Sequence, residues 1–131
     1  MSKKIEVVLN SQRLIAYDGT TLVFDFSCVL GDEETPTRPG MFHITWKDIR
    51  HVSSQSGHPM PYAMFFDGGR AIHAGTHIGL RHLAMRAGLG RLDNITPESA
   101  KIGSHGCVNL HKDDAAKLYP WADIGTIVVV R

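Results

Sequence analysis

The chain has 131 residues, 43% of them hydrophobic, which is enough for one domain around a single buried core. Its formal net charge is +1, and its 14 Lys and Arg residues are scattered rather than gathered into a basic patch, which argues against a nucleic-acid partner. No stretch is apolar enough to span a bilayer, and polar residues interrupt the start before a signal-peptide core could form. We therefore expect a cytoplasmic protein, or a periplasmic one if it is exported non-classically or truncated.

The first half of the chain has the residue patterns of β-strands. Tight-turn signals are present at Asp18-Gly19 and at Asp67-Gly68-Gly69. The polar region from Asp48 to Pro61 is expected to form an exposed loop. Apolar or alternating runs rich in β-formers predict strands over Ile5–Leu9, Arg13–Tyr17, Leu22–Leu30, Met41–Trp46, Pro61–Phe66 and Arg70–His73.

Helix signals come late in the chain and are short. Leu80–Ala87 contains helix formers, Thr96-Pro97-Glu98 resembles a helix start, and Lys112–Tyr119 is stopped by Pro120. The β-branched run Thr126–Val130 predicts a final buried strand. The predicted fold class is mostly β: a mostly antiparallel β sandwich or barrel with a few short helices, formed by residues 1–131 as a single domain.

The two cysteines have different surroundings. Without a Cys-x-x-Cys pair, neither a disulfide framework nor a cysteine-rich zinc site is encoded. Cys28 lies in an apolar strand without a neighbouring histidine, and we predict that it is structural. Cys107 is flanked by Ser, His, Gly and Asn, which form sites more often than cores, and a histidine or backbone donors nearby could help its thiol to ionise. The sequence therefore favours Cys107 as a nucleophile over a buried structural cysteine.

The residues around Cys107 also carry a family resemblance. Ser104-His105-Gly106-Cys107-Val108-Asn109, preceded by Ala71-Ile72-His73, resembles the signature of the L,D-transpeptidase catalytic domain, the YkuD-type family. That signature is a histidine followed by Ser/Thr-His-Gly-Cys, a hydrophobic residue and Arg or Asn. The likeness extends to Thr35–Phe42, Met60–Met64 and Asp123–Val128 and so covers nearly the whole chain. It implies an L,D-transpeptidase-like β fold.

The resemblance implies a role for each matched residue. Cys107 would be the nucleophile, His73 its base, and the backbone carbonyl of Ala74 would orient the imidazole. Backbone N–H groups near His105, Gly106 and Cys107 would form an oxyanion hole, and the His105 side chain would either support the catalytic residues or contact the substrate. The predicted substrate-binding residues are Tyr62, Ser104 and Asn109, the last of which would also brace the loop.

Two other histidines remain alternatives for the base. His77 and His82 are closer to the motif, and the interval from His73 to Ser104 is longer than is usual in the family. His73 is preferred because it ends an apolar strand, a rigid position that suits a base. The remaining histidines are predicted to have no special role: His43, His51, His58 and His111.

The activity implied by the resemblance is acyl transfer on peptidoglycan stem tetrapeptides. Cys107 would attack the carbonyl between the third residue, diaminopimelate or lysine, and the terminal D-Ala, leaving a thioester. Hydrolysis of the thioester, which is L,D-carboxypeptidation, is slightly favoured, because a protein kept in the cytoplasm would meet recycled muropeptides rather than the intact wall. The alternative is L,D-transpeptidation, in which an amine acceptor gives a cross-link or D-amino-acid exchange. Carbapenems are expected to act as covalent inhibitors, and no cofactor, metal or membrane partner is expected.

The sequence offers two alternatives to a peptidoglycan enzyme. A zinc-binding module could use His105, Cys107 and His111, but only one arm of the site would have closely spaced ligands. A catalytically inactive binding domain for cell-wall peptides is disfavoured because every residue that the chemistry needs is present. The sequence therefore favours an enzyme over either alternative.

Overall fold

The computed structural model describes residues 2–30, 37–53, 57, 59–75 and 107–131. The predicted helices over Leu80–Ala87 and at Thr96-Pro97-Glu98 lie outside these residues. The described elements are β1 (Lys3–Val8), β2 (Arg13–Asp18), β3 (Thr21–Val29), β4 (Gly40–His43), β5 (Trp46–Val52), β6 (Pro59–Asp67), β7 (Arg70–Ala74), β8 (Val108–Leu110), α1 (Lys112–Trp121) and β9 (Ile127–Val130).

Most predicted strands are confirmed, with two corrections around β5. The strand predicted over Met41–Trp46 ends at His43, and Trp46 begins β5 instead. The loop predicted for Asp48–Pro61 is wrong over much of its length, because β5 continues to Val52 and pairs with β6. The β5 side chains are half-buried or exposed, so this strand lacks the apolar alternation by which strands are recognised.

The strands form one mixed sheet in the order β4-β9-β1-β2-β3-β8-β7-β6-β5. Most neighbours are antiparallel, as predicted, but β1 pairs with β9 and β7 with β8 in parallel. The turn after β2 contains Gly19 with φ 62°, and the turn after β6 contains Gly68 with φ 57°; glycine adopts this conformation at little cost. Both predicted tight turns are confirmed.

The main core lies on one face of the sheet and is completed by α1. Strand alternation directs Ile5, Val7 and Leu14 into it. Helix α1 contributes Ala115 and Leu118, both with no solvent exposure. Among the described residues, no helix has the length and apolar character to cross a membrane.

A second, smaller cluster lies on the other face of β6 and β7. Its members, here called the Cys107 cluster, are Met60, Ala63, Phe65, Ala71 and Cys107. In β7, Ile72 and Ala74 belong to the main core, whereas Ala71 belongs to the Cys107 cluster. Because successive side chains of a strand point to opposite faces, His73 lies on the same face as Ala71. The alternation of β7 therefore directs its main-core residues, Ile72 and Ala74, away from the face that carries the candidate base.

Candidate active site

The parallel pairing of β7 with β8 brings the chemical residues onto neighbouring strands. Ile72 pairs with Val108 and His73 with Asn109, while Cys107 directly precedes β8. The backbone N–H of Ala71 donates a hydrogen bond to Cys107 Sγ at 3.4 Å. His73 therefore lies on β7 and Cys107 directly before the neighbouring β8, on the face that carries the Cys107 cluster.

A backbone hydrogen bond fixes the imidazole of His73. Its Nδ1 lies 2.8 Å from the carbonyl oxygen of Ala74, the partner expected from the sequence. A carbonyl oxygen only accepts hydrogen bonds, so Nδ1 carries the hydrogen and Nε2 of the neutral ring keeps its lone pair. The ring is 8% exposed. His73 is thus held as the tautomer that can accept a proton at Nε2.

Burial sets the protonation of both groups. It lowers the pKa of His73, more than the hydrogen bond to Ala74 raises it, and the charge of His51 lowers this pKa further. Burial also raises the pKa of the Cys107 thiol, although the N–H of Ala71 and the charge of Arg70 act in the opposite direction. The resting pair at neutral pH is therefore an imidazole and a thiol. Removal of the thiol proton has to accompany attack.

Asn109 is the residue of β8 that pairs with His73 of β7. It is 7% exposed and lies against Gly75, where an added Cβ would be 3.0 Å from Asn109 Cβ. The N–H of Gly75 donates to the carbonyl of Leu110 at 3.1 Å, which extends the contact between the two strands beyond β7. The bare backbone at Gly75 lets Asn109 pack closely, so this side chain supports the strand pair that carries the base.

Tyr62 packs against the main core. Its φ is 58°, and its ring packs edge-on against Tyr119 at 5.7 Å, next to the main core. Its predicted contact with substrate stays a prediction. The other predicted positions lie outside the described residues: Ser104, His105 and Gly106 of the motif, the alternative bases His77 and His82, and His58.

One group near the site was not predicted from the sequence. His51 Nδ1 lies 3.2 Å from Asp48 Oδ2, and its ring meets Phe65 at 4.9 Å and Trp46 at 5.4 Å. Phe65 in turn belongs to the Cys107 cluster. Because β5 was predicted as a loop, no periodicity indicated that His51 would face a packed aromatic group.

The other cysteine and the last histidine have structural positions. Cys28 has no solvent exposure, pairs with Leu110 in the main core, and burial raises the pKa of its thiol. His111 precedes α1, and its Nδ1 accepts a hydrogen bond from the N–H of Asp113 at 3.2 Å, which caps the helix. Within the described ranges, no three His, Cys, Asp or Glu side chains are arranged to hold a metal ion.

Comparisons with known proteins agree with this fold. A family model described as the L,D-transpeptidase catalytic domain matches residues 2–130. No curated protein matches the chain.

Solved structures are similar over the whole chain. An L,D-transpeptidase from Stackebrandtia nassauensis is 28% identical with a TM-score of 0.81, covering 100% of this chain and 56% of its own. The Ldtfm–avibactam carbamoyl enzyme is 25% identical with a TM-score of 0.77, over 100% of this chain and 49% of its own. A mutant L,D-transpeptidase of Enterococcus faecium is 24% identical with a TM-score of 0.80, over 100% of this chain and 50% of its own. The chain thus spans about half the length of these proteins.

Proposed function

Because the chain belongs to the L,D-transpeptidase catalytic domain family, we propose that it is a cysteine acyltransferase acting on peptidoglycan stem tetrapeptides. In this proposal Cys107 is the nucleophile and His73 its base. The observation that carries it is the hydrogen bond from His73 Nδ1 to Ala74 O, 2.8 Å long. It leaves Nε2 as the proton acceptor on the strand next to Cys107.

The acylation step follows from the neutral state of the pair. As Cys107 Sγ attacks the carbonyl between the third residue and D-Ala, its proton moves to His73 Nε2 and a C–S bond forms. The imidazolium then gives this proton to the departing amine, the C–N bond breaks, and D-Ala leaves. Backbone N–H groups at His105, Gly106 and Cys107 would stabilise the oxyanion, as the family resemblance implies. The product is a thioester on Cys107.

The acceptor that resolves the thioester decides the reaction. With water, activated by His73, the product is a tripeptide and the reaction is L,D-carboxypeptidation. With an amine, the product is a cross-link or an exchanged D-amino acid, which is transpeptidation. We propose hydrolysis as the primary outcome because water needs no binding site of its own. The substrate proposed for this hydrolysis is a muropeptide that carries a tetrapeptide stem.

Product analysis tests the proposal. The full chain is incubated with a purified disaccharide tetrapeptide, with and without an added D-amino acid, and the products are weighed by mass spectrometry. Tripeptide and free D-Ala in both reactions are expected, and Cys107→Ala should form neither. An exchanged tetrapeptide in place of tripeptide would make the enzyme a transpeptidase. Tripeptide formation by Cys107→Ala would exclude the proposed nucleophile.

The same thiol chemistry predicts covalent inhibition by carbapenems. Their strained carbonyl can be opened by a thiolate, which remains attached as a thioester. The Ldtfm–avibactam carbamoyl enzyme, 25% identical to this chain, supports acylation of such a site. We expect the intact mass to increase by that of one carbapenem in the wild type and in Cys28→Ala, and to stay unchanged in Cys107→Ala. An adduct on Cys107→Ala would contradict the prediction.

A further inference from the structure

Three side chains of β5, here called the β5 group, extend the face that carries the Cys107 cluster. Each lies opposite a member of that cluster, and residues directly opposite each other on paired strands carry their side chains on the same face. The ring contacts of β5 with Phe65 agree with this placement. The pairs are Trp46 with Phe65, Asp48 with Ala63 and His51 with Met60.

A row of paired residues connects the β5 group to the nucleophile. Ala71, whose N–H donates to Cys107 Sγ, lies opposite Phe65, and Phe65 lies opposite Trp46. The rings of Phe65 and Trp46 stack in parallel with their centroids 4.1 Å apart. Because neighbouring strands are about 4.8 Å apart, the backbone of Trp46 lies about 10 Å from that of Ala71. A single long side chain of a substrate held at Cys107 has this scale.

The carboxylate of Asp48 is oriented and can accept further hydrogen bonds. Its Oδ1 accepts the backbone N–H of Arg50 at 3.2 Å, and its Oδ2 lies 3.2 Å from Nδ1 of His51. A carboxylate has about four acceptor positions, so these two bonds leave others available. The side chain is 40% exposed, and no lysine or arginine among the described residues forms an ion pair with it. A cation from solvent can therefore reach this carboxylate.

The neighbours of Asp48 also suit a cation. An ionised carboxylate only accepts hydrogen bonds, so the hydrogen of the neutral His51 ring lies on Nδ1, and Nε2 keeps a lone pair that can accept. The indole of Trp46 is 43% exposed, and an aromatic ring attracts an ammonium group to its face. The β5 group thus combines a negative charge, a second acceptor and an aromatic ring.

Elsewhere the chain holds an ammonium group with the same residue types at the same spacing. Nζ of Lys3 lies 5.1 Å from the centre of the Trp121 ring and 3.1 Å from Asp123 Oδ2. Trp121 and Asp123 are two residues apart, as are the tryptophan and aspartate of the β5 group. This contact shows that such a pair binds a lysine side chain in this protein.

We propose that the β5 group binds the side-chain ammonium of the third residue of the stem peptide. The inference rests on the proposed function, in which Cys107 attacks the carbonyl of that residue. Lysine and diaminopimelate both carry an amine at the end of the side chain, and the flexible four-carbon stem of lysine can extend from Cys107 towards β5. The β5 group would therefore select a cationic third residue over a neutral one.

A binding experiment tests this subsite without turnover. Cys107→Ala serves as the parent protein, so that no peptide is cleaved. Calorimetric titration gives the Kd of two tetrapeptides, one with lysine at position three and one with Nε-acetyl-lysine. We expect acetylation to weaken binding about fivefold in the parent protein and to have little effect once Asp48→Asn is added.

Matched variants make the titration decisive. Asp25→Asn is the control, because Asp25 is also a half-exposed carboxylate on a strand, and the fivefold difference should remain in this variant. If Asp48→Asn does not fold, Trp46→Leu replaces it and should reduce the difference. The proposal is overturned by equal Kd values for the two peptides in the parent protein, by no measurable binding of either peptide, or by a full fivefold difference in folded Asp48→Asn.

Further measurements identify which ammonium group is bound. A tetrapeptide with diaminopimelate at position three is titrated in the same way. Weaker binding in Asp48→Asn for the lysine peptide alone assigns the subsite to lysine-containing stems, and weaker binding for both assigns it to the amine that they share. If Asp48→Asn abolishes exchange with an added D-amino acid but leaves both Kd values unchanged, the β5 group binds the acceptor instead, and the proposal is overturned. If the wild type turns over no peptide, the proposed function fails, while the titrations still report on the subsite.

Discussion

The burial of His73 has a consequence for the pH dependence of turnover. Burial lowers the pKa of His73, so the ring takes up a proton only at a pH below its ordinary value of about 6.5. The base therefore stays neutral and active at neutral pH, and kcat/KM should decline only below about pH 6.5. The check is a kcat/KM profile for tetrapeptide hydrolysis.

Variants of the three candidate histidines provide the control for this profile. His73→Ala should reduce kcat/KM at neutral pH by about a hundredfold or more, because it removes the general base. His77→Ala and His82→Ala should retain most of the wild-type kcat/KM and the same decline at low pH. If His77→Ala or His82→Ala removed the decline of kcat/KM at low pH while His73→Ala left the profile unchanged, the base would be that residue instead.

The two cysteines should respond oppositely to substitution. Cys28 is fully buried in the main core, so Cys28→Ala should lower the free energy of unfolding by about 1 kcal/mol and leave turnover measurable. Cys28→Ser should cost more, because it buries a hydroxyl among apolar side chains. Cys107→Ala should abolish turnover and leave the fold intact. Urea denaturation and tetrapeptide hydrolysis measure the two effects, and the reverse pattern would exchange the two assignments.

At the level of elements, the contact between β7 and β8 depends on a glycine. A Cβ at Gly75 would lie 3.0 Å from Asn109 Cβ, so Gly75→Ala has to displace the residue paired with His73. We expect the substitution to destabilise the fold by about 1–3 kcal/mol and to reduce turnover. Gly69→Ala is the matched control, because a Cβ there meets no heavy atom within 4 Å. Equal unfolding free energies for the two variants would show that β8 shifts to accommodate the added methyl group at Gly75 without a loss of stability.

The strands differ in how far the sequence predicts them. β1, β2 and β9 alternate or run apolar because each packs against the main core, and such patterns are visible without a structure. β5 was missed because it pairs at the edge of the sheet, with Trp46, Ile49 and Val52 exposed. The strand forms because it pairs with β6, which its own residue pattern does not indicate.

Over the whole molecule, local motifs were predictable and long-range neighbours were not. The motif around Cys107 and the Ile-His strand end at His73 were visible because their residue types are unusual in cores. The parallel partners of β1 and β7 were not, since no local pattern states which strands meet. The same holds for the ion pair between Arg38 and Asp67, whose two residues are far apart in sequence and belong to common residue types.

The parallel pairing of β7 with β8 also affects how fast the protein folds. The hairpin of β6 and β7 closes over a short turn, whereas β8 can dock only after the chain from 75 to 107 forms a closed loop. Closure of that loop costs about 3 kcal/mol of chain entropy. Contacts between distant residues slow folding, so β8 should join the sheet after the hairpin has formed.

Cys28 provides a probe of this order, because it pairs with Leu110 of β8. During refolding from urea, pulsed alkylation should label Cys28 after hydrogen exchange already shows protected amides in β6 and β7. If the thiol and these amides become protected together, the sheet forms in one step. The late strand is β8, which directly follows Cys107. A newly made chain should therefore form the hairpin of β6 and β7 before Cys107 is placed next to β7.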